Sequence, residues 1–229
     1  MGVLIVSGSP KKNRGASWRL GLALAESLKK LKLGSLPDGG EAQSGPSPPM
    51  ALTGEGAASL IFSNGLSAPG LIENLKGKKA LVFVLPLYVD ALPSHLVDLM
   101  EGILGKIEGL PFYAVINCGF YEADKNLVAV EILKNFCREA NLKWGQVLAF
   151  GGGGAINSLF GLKGFPFRGL NLELGKLAKN ILAGASGPDL FAEPDFPKFV
   201  YKLGAHLQWY WMAFKNKVKF KDLYKKIDG

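Results

Sequence analysis

What the chain lacks narrows its chemistry first. No uninterrupted apolar run approaches the roughly 18 residues that a membrane span requires. The N-terminal run Val3–Val6 is too short for the apolar core of a secretory signal and leads into Gly-Ser-Pro rather than a small-residue cleavage site, so a cytoplasmic location is expected. The only cysteines, Cys118 and Cys137, and the only histidines, His95 and His206, are scattered. No CxxC or His-x₃-His spacing exists, which argues against a zinc or iron–sulfur site, and two distant cysteines do not make a disulfide framework. Neither a Walker A loop nor a G-x-G-x-x-G fingerprint occurs. A charge of +8 raises the question of nucleic acid. The cations are spread out, with a local excess only after Lys198, and no RRM, KH or zinc-finger signature accompanies them. No nucleic acid and no membrane are expected as partners.

The chain does alternate apolar strands with helical stretches. Gly2–Ser7 (GVLIVS) reads as a strand buried on both faces. Leu20, Leu22, Ala23, Ala25, Leu28 and Leu31, with charge between them, predict a helix over 17–31. Residues 34–57, rich in Gly, Pro and Ser, read as a long mobile loop. A weak strand follows at 59–62 and a short helix at 69–76. Lys79–Leu85 (KALVFVL) is the clearest buried strand, with a helix over 94–104 in which Ser94 is a candidate cap. Phe112–Asn117 is a fourth strand, and 127–141 a strongly patterned helix with Asp124 or Asn126 near its start. Gln146–Phe150 is the fifth strand, ending in Gly151–Gly154. Residues 170–183 form the last helix of the pattern. The expected architecture is α/β: a three-layer, doubly wound, five-stranded parallel sheet of order 2-1-3-4-5. It fills residues 1–195, and an aromatic, basic helical extension occupies 196–229.

Ligands of such sheets sit beyond the carboxyl ends of the strands, at the switch between the first and third. Four loops lie there. Ser7–Ser17 joins strand to helix, and the helix N-terminus with Ser9, Asn13, Ser17 and the cations Lys11, Lys12 and Arg14 suits a phosphate. It reads equally as a polar turn shaped by Gly and Pro. Pro86-Leu87-Tyr88, closed by Pro93, is a stiff loop that either presents a flat surface to a planar ring or simply connects two elements. Asn117-Cys118-Gly119-Phe120 offers an amide and a glycine that permits close backbone approach; without a catalytic histidine nearby, Cys118 is not expected to be a nucleophile. The four glycines 151–154 admit either a ligand or a flexible turn. Residues 160–167 read as ordinary loop packing or as a lid over an aromatic substrate.

At these loops the sequence resembles the flavodoxin-like NAD(P)H-dependent FMN reductases and related small flavin oxidoreductases. The carrying motifs are Gly8-Ser9-Pro10-Lys11 with Ser17, Pro86-Leu87-Tyr88 with Pro93, and Asn117-Cys118-Gly119-Phe120, in that order over residues 1–183. The resemblance implies bound FMN as cofactor. Ser9, Lys11, Asn13 and Ser17 would hold its phosphate, Pro86, Leu87 and Tyr88 would flank the ring, and Asn117, Gly119 and Phe120 would meet the ring's pyrimidine side. It also implies hydride transfer from NAD(P)H through FMN to a quinone, a free flavin or another aromatic acceptor. A flavodoxin-type electron carrier without nicotinamide turnover and a flavin-free interaction domain are the alternatives. The sequence departs from the family in the 34–57 insertion, in Lys11 where arginine is commoner, and in lacking the cysteine cluster of iron–sulfur flavoproteins. The run Trp209-Tyr210-Trp211-Met212 would spread around a helix, so the extension is expected to complete a homodimer, the rival readings being a helix buried within the monomer and a basic amphipathic helix on an anionic membrane.

Overall fold

The structure is a computed structural model that describes residues 2–34, 57–158, 162, 164–218 and 222. The chain divides into two compact units, Met1–Asp195 and Phe196–Gly229. All but the two end residues of the expected 34–57 loop lie outside the described residues, as do residues 160, 161 and 163 of the expected lid.

Unit 1 is built on six parallel strands: β1 (Gly2–Ser7), β2 (Ala58–Phe62), β3 (Lys78–Pro86), β4 (Pro111–Asn117), β5 (Lys143–Phe150) and β6 (Leu190–Ala192). They run in the order β2-β1-β3-β4-β5-β6, every pair parallel. The continuous apolar runs form the interior strands, where both pleat faces are covered. Leu4, Val6, Leu81, Phe83, Phe112 and Ala114 face one layer of core with α2 (Ala68–Leu75), α3 (Ser94–Gly102) and α4 (Leu127–Glu139). The alternate residues, such as Ile5, Val82, Tyr113 and Leu148, are also fully buried. On their side α1 (Ala16–Lys32) packs against α6 (Arg168–Ala183) and α5 (Gly153–Ser158).

The five-stranded expectation is one strand short. Three residues, Leu190-Phe191-Ala192, are too few to register as a hydrophobic period, and tertiary hydrogen bonds select them as β6. Gln146 Nε2 donates to the Pro188 carbonyl (2.6 Å), and Gly187 N–H donates to the Gly145 carbonyl (3.1 Å). Asp189 accepts from Val147 N–H (3.2 Å) and pairs with Lys134 (3.1 Å). The buried Tyr113 hydroxyl fixes the preceding turn through the carbonyls of Asn180 and Ala185.

Helix boundaries shift for local reasons. Ser94 is the first residue of α3, not its cap; Pro93 holds that place without a side-chain bond. Asn126 does precede α4, but its amide caps nothing there. α4 stops at Glu139 because Asn141 turns left-handed (φ 51°) and Leu142 N–H bonds the Cys137 carbonyl (2.8 Å), a Schellman ending. The glycine run after β5 becomes the short helix α5.

Candidate functional site at the carboxyl edge of the sheet

β1 pairs with β2 on one side and β3 on the other, so the loops after β1 and β3 leave the sheet at its switch point. The loop after β1 folds back on itself through Lys12 N–H to Ser9 O (3.3 Å), Arg14 N–H to Lys11 O (3.1 Å) and Gly15 N–H to Lys12 O (3.3 Å). Lys12 takes a left-handed φ of 48° within this short 3₁₀ turn. The outcome is a division of labour. Ser9 and Ser17 are buried, while Lys11, Lys12, Asn13 and Arg14 stand exposed around an open concavity of about 510 Å³. α1 then begins with Gly15 at its cap position and no side-chain cap, so its first N–H groups face this loop. Gly15 has a packing reason: a Cβ there would lie 2.2 Å from Ser9 Oγ.

The loop after β3 keeps little of itself flexible. Pro86 and Leu87 are buried, and Leu87 joins the core with its N–H bonded to the Asn117 carbonyl (2.8 Å). Tyr88 and Ala91 exchange both backbone hydrogen bonds (3.0 Å each) across a tight turn. Its two central residues, Val89 and Asp90, both have positive φ, 49° and 58°. A β-branched residue in that region carries strain of order 1–3 kcal/mol, and Val89 is almost wholly exposed at the tip. Tyr88 remains half exposed, with Ser9 beside its phenol. Burial pushes the phenol above its ordinary value, with the neighbouring Ser9 hydroxyl acting in the opposite direction.

The loops after β4 and β5 lock into each other. Cys118 N–H bonds the Phe150 carbonyl (3.1 Å), Gly153 N–H bonds the Cys118 carbonyl (2.7 Å), and Gly152 N–H bonds the Phe120 carbonyl. Gly151 and Gly153 are required by proximity rather than freedom. A Cβ on Gly151 would lie 1.9 Å from the Tyr121 carbonyl oxygen, and one on Gly153 would lie 2.8 Å from that of Cys118. Gly119 has open space around it, and Phe120 is exposed. Asn117 is buried, and its Oδ1 accepts from Ser17 Oγ at 2.9 Å. That bond joins the start of α1 to the end of β4 across a hundred residues of sequence.

The ten residues expected at the site therefore fall into two sets. Lys11, Asn13, Tyr88, Gly119 and Phe120 present exposed groups, whereas Ser9, Ser17, Pro86, Leu87 and Asn117 are buried beneath them. A hydrogen bond between Ser17 and Asn117 ties the first loop to the end of β4, and Tyr88 of the second loop lies beside Ser9. Sequence reasoning missed the close packing that requires glycine at positions 15 and 153, and it missed Arg19, whose guanidinium donates to the Ile156 carbonyl (2.7 Å) and holds α5 against α1. Nothing in a lone arginine or glycine announces such a role.

Cys118 is buried, with its sulfur near the carbonyls of Phe120 and Glu122 (3.7 Å each) and the Asn126 amide (3.4 Å). Burial raises its thiol above the ordinary value, outweighing the hydrogen bonds that lower it. His95 lies elsewhere and meets the buried Ser63 (3.0 Å). Among the described residues there is no cluster of metal-ligating side chains and no helix long and apolar enough to cross a membrane.

No family model matches the sequence, and a search of curated proteins gives no match. Solved structures do match in fold. An oxidoreductase from Corynebacterium diphtheriae is similar at a TM-score of 0.54 and 14% identity, over 80% of this chain and 96% of that one. An FMN-dependent NADH-azoreductase from Bacillus anthracis, determined in complex with FMN, is similar at 0.52 and 15% identity, over 79% and 99%. The flavodoxin of Streptococcus pneumoniae TIGR4 is similar at 0.51 and 15%, over 81% and 100%. The fold is flavodoxin-like, with a sixth edge strand.

Proposed function

We propose that unit 1 binds FMN at the carboxyl edge of its sheet and works as an NAD(P)H-dependent reductase of quinones, flavins or other aromatic acceptors. The observation that carries this reading is the convergence of three loops. A cation-ringed helix start, a half-exposed tyrosine and an exposed phenylalanine lie on one edge, with Tyr88 beside Ser9 and Ser17 bonded to Asn117. The oxidoreductase and the FMN-dependent NADH-azoreductase of similar fold add support at the level of architecture.

The residues fit the cofactor. The uncapped first turn of α1 and the cations of the preceding loop suit a phosphate dianion. Ser9 keeps its hydroxyl beside this turn. Ser17 directs its hydroxyl proton to Asn117, so what it offers a phosphate is its backbone N–H. FMN, when bound, supplies hydride acceptance and return, and the protein supplies orientation and electrostatics. Tyr88 and Phe120 offer ring faces for a flat heterocycle, and Gly119 leaves room for its polar edge. Leu87 buries its side chain in the core and fixes the height of the Tyr88 loop. The free, buried cysteines suit a reducing compartment such as the cytoplasm.

The test is FMN binding by flavin fluorescence, followed by NAD(P)H oxidation. Ser9→Ala should weaken FMN by about 1–2 kcal/mol through loss of a charge-assisted bond. Unchanged affinity would place the phosphate elsewhere. Tight FMN binding without nicotinamide oxidation would leave an electron carrier instead.

A further inference from the structure

Asn117 closes β4 with one polar group left over. Its backbone carbonyl accepts from Leu87 N–H (2.8 Å), and its Oδ1 accepts from Ser17 Oγ (2.9 Å). An asparagine amide also carries two donor hydrogens on Nδ2, and among the described residues no group accepts them. The residue is 6% exposed, so this donor is nearly buried yet not sealed off. Two glycines keep the space beside it bare. A Cβ on Gly153 would lie 2.9 Å from Nδ2, and Gly119 has open space around it. Ser17 decides which end of the amide faces out. Its hydroxyl stands in the first turn of α1 and is buried, and its proton goes to Asn117 Oδ1. A turned amide would set Nδ2 against the hydroxyl and leave the serine proton buried without that acceptor, which is costly.

We propose that Ser17 is a positioning residue: its hydroxyl locks the Asn117 amide with Nδ2–H toward the ring subsite, so that the site reads an acceptor edge of the flavin and favours its reduced, anionic form. The inference rests on the flavin reading above. It changes the part of the Ser17 side chain from a phosphate ligand to the orienter of a ring ligand. A flavin that gains two electrons and one proton carries its negative charge on the N1–O2 edge of the pyrimidine ring. A hydrogen bond to an ionised acceptor is roughly twice as strong as one to a neutral acceptor. Nδ2–H therefore holds the reduced form more tightly than the oxidised form. An outward Oδ1 would do the reverse, because two acceptors would then face each other. A contact to the phosphate acts differently. The phosphate keeps its charge when the ring is reduced, so such a contact changes the affinity for both forms alike.

The test uses the full chain loaded with FMN. The midpoint potential of the bound flavin is read against a reference dye, and the affinity for oxidised FMN by fluorescence. Asn117→Ala should cut the preference for reduced over oxidised FMN about tenfold, which lowers the potential of a two-electron couple by about 30 mV. Ser17→Ala should shift it in the same direction by about threefold, because the released amide samples both orientations. Ser17→Thr keeps the hydroxyl and should restore the wild-type potential. Should Ser17→Ala fail to fold, Ser17→Cys, close in shape but a weak donor, carries the same expectation. Ser9→Ala, at the phosphate end, should weaken both forms equally and leave the potential in place. A Ser17→Ala protein that binds FMN less tightly at an unchanged potential overturns the inference and returns the hydroxyl to the phosphate, with the flavin reading intact. An unchanged potential in Asn117→Ala also overturns it. A wild-type chain that binds no FMN overturns both.

Discussion

Replacing Ser17 with alanine removes one hydroxyl and unlocks two loops. Ser17 and Asn117 are 1% and 6% exposed, and their 2.9 Å bond is a buried one between neutral groups. The net value of such a bond is about 1 kcal/mol, but stranding a buried acceptor costs about 1–3 kcal/mol. Ser17→Ala leaves Asn117 Oδ1 without this donor, so the flavin-free chain should lose about 2 kcal/mol. At about 2–4 °C per kcal/mol for a chain of this size, its melting temperature falls by about 4–8 °C. Asn117→Ala alone should cost a similar amount, and the double variant should cost less than the two together. The coupling energy, read from urea titrations of the four proteins, should be about 1 kcal/mol. Strict additivity, with coupling under about 0.3 kcal/mol, would refute the claim that these side chains form the joint between α1 and β4. The FMN arm is separable. If the phosphate takes the Ser17 backbone N–H rather than its hydroxyl, Ser17→Ala lowers FMN affinity no more than Ser9→Ala does.

Other perturbations follow the same geometry. Gly151→Ala drives a Cβ to within 1.9 Å of the Tyr121 carbonyl oxygen, backbone that cannot swing aside. Overpacking of about 1–3 kcal/mol should lower the melting temperature by several degrees, and an unchanged melting curve would contradict the placement of that loop. Gly15→Ala meets Ser9 Oγ at 2.2 Å, so it should displace that hydroxyl and weaken FMN, measured by fluorescence quenching, at a smaller cost to the fold. Burial raises the Cys118 thiol and pushes Cys137 up to about 12. Both are therefore protonated at neutral pH, and native protein should react with a thiol-selective disulfide reagent far more slowly than the urea-unfolded chain. The sign of the stability effect follows. With the folded value of Cys137 above the ordinary 9.0, its contribution is complete below pH 9 and is lost as pH rises toward 12, which urea titrations across that window can detect.

The parts of this molecule that speak in its sequence are those governed by local pattern. GVLIVS and KALVFVL are strands because continuous β-rich apolar runs fit only a sheet covered on both faces. The amphipathic period of 127–139 makes α4. The three loops at the carboxyl edge stood out because Gly, Pro, Ser and Asn at strand ends are conspicuous there. What was not legible depends on partners far away in sequence. β6 exists because Gln146 and Asp189 pin a three-residue segment to β5. α5 grows from a glycine run that reads as a flexible turn, with Arg19 holding its Ile156 carbonyl. Asn126 stands where a capping residue was expected, yet its amide reaches the Ala123 and Phe150 carbonyls and the Cys118 sulfur instead. The Ser17 hydroxyl, a natural phosphate donor in the sequence, is committed to Asn117, a residue whose proximity no local pattern reveals. Asp195 likewise caps α6 from across a loop, accepting from Arg168 and Gly169 N–H groups.

The most direct test of the central claim is an anaerobic titration of the FMN-loaded protein with NADPH and, separately, NADH, followed through the yellow flavin band. The account predicts that at least one nicotinamide bleaches the band stoichiometrically, and that a quinone added without air restores it. Bound FMN that stays yellow under excess of both nicotinamides would contradict it.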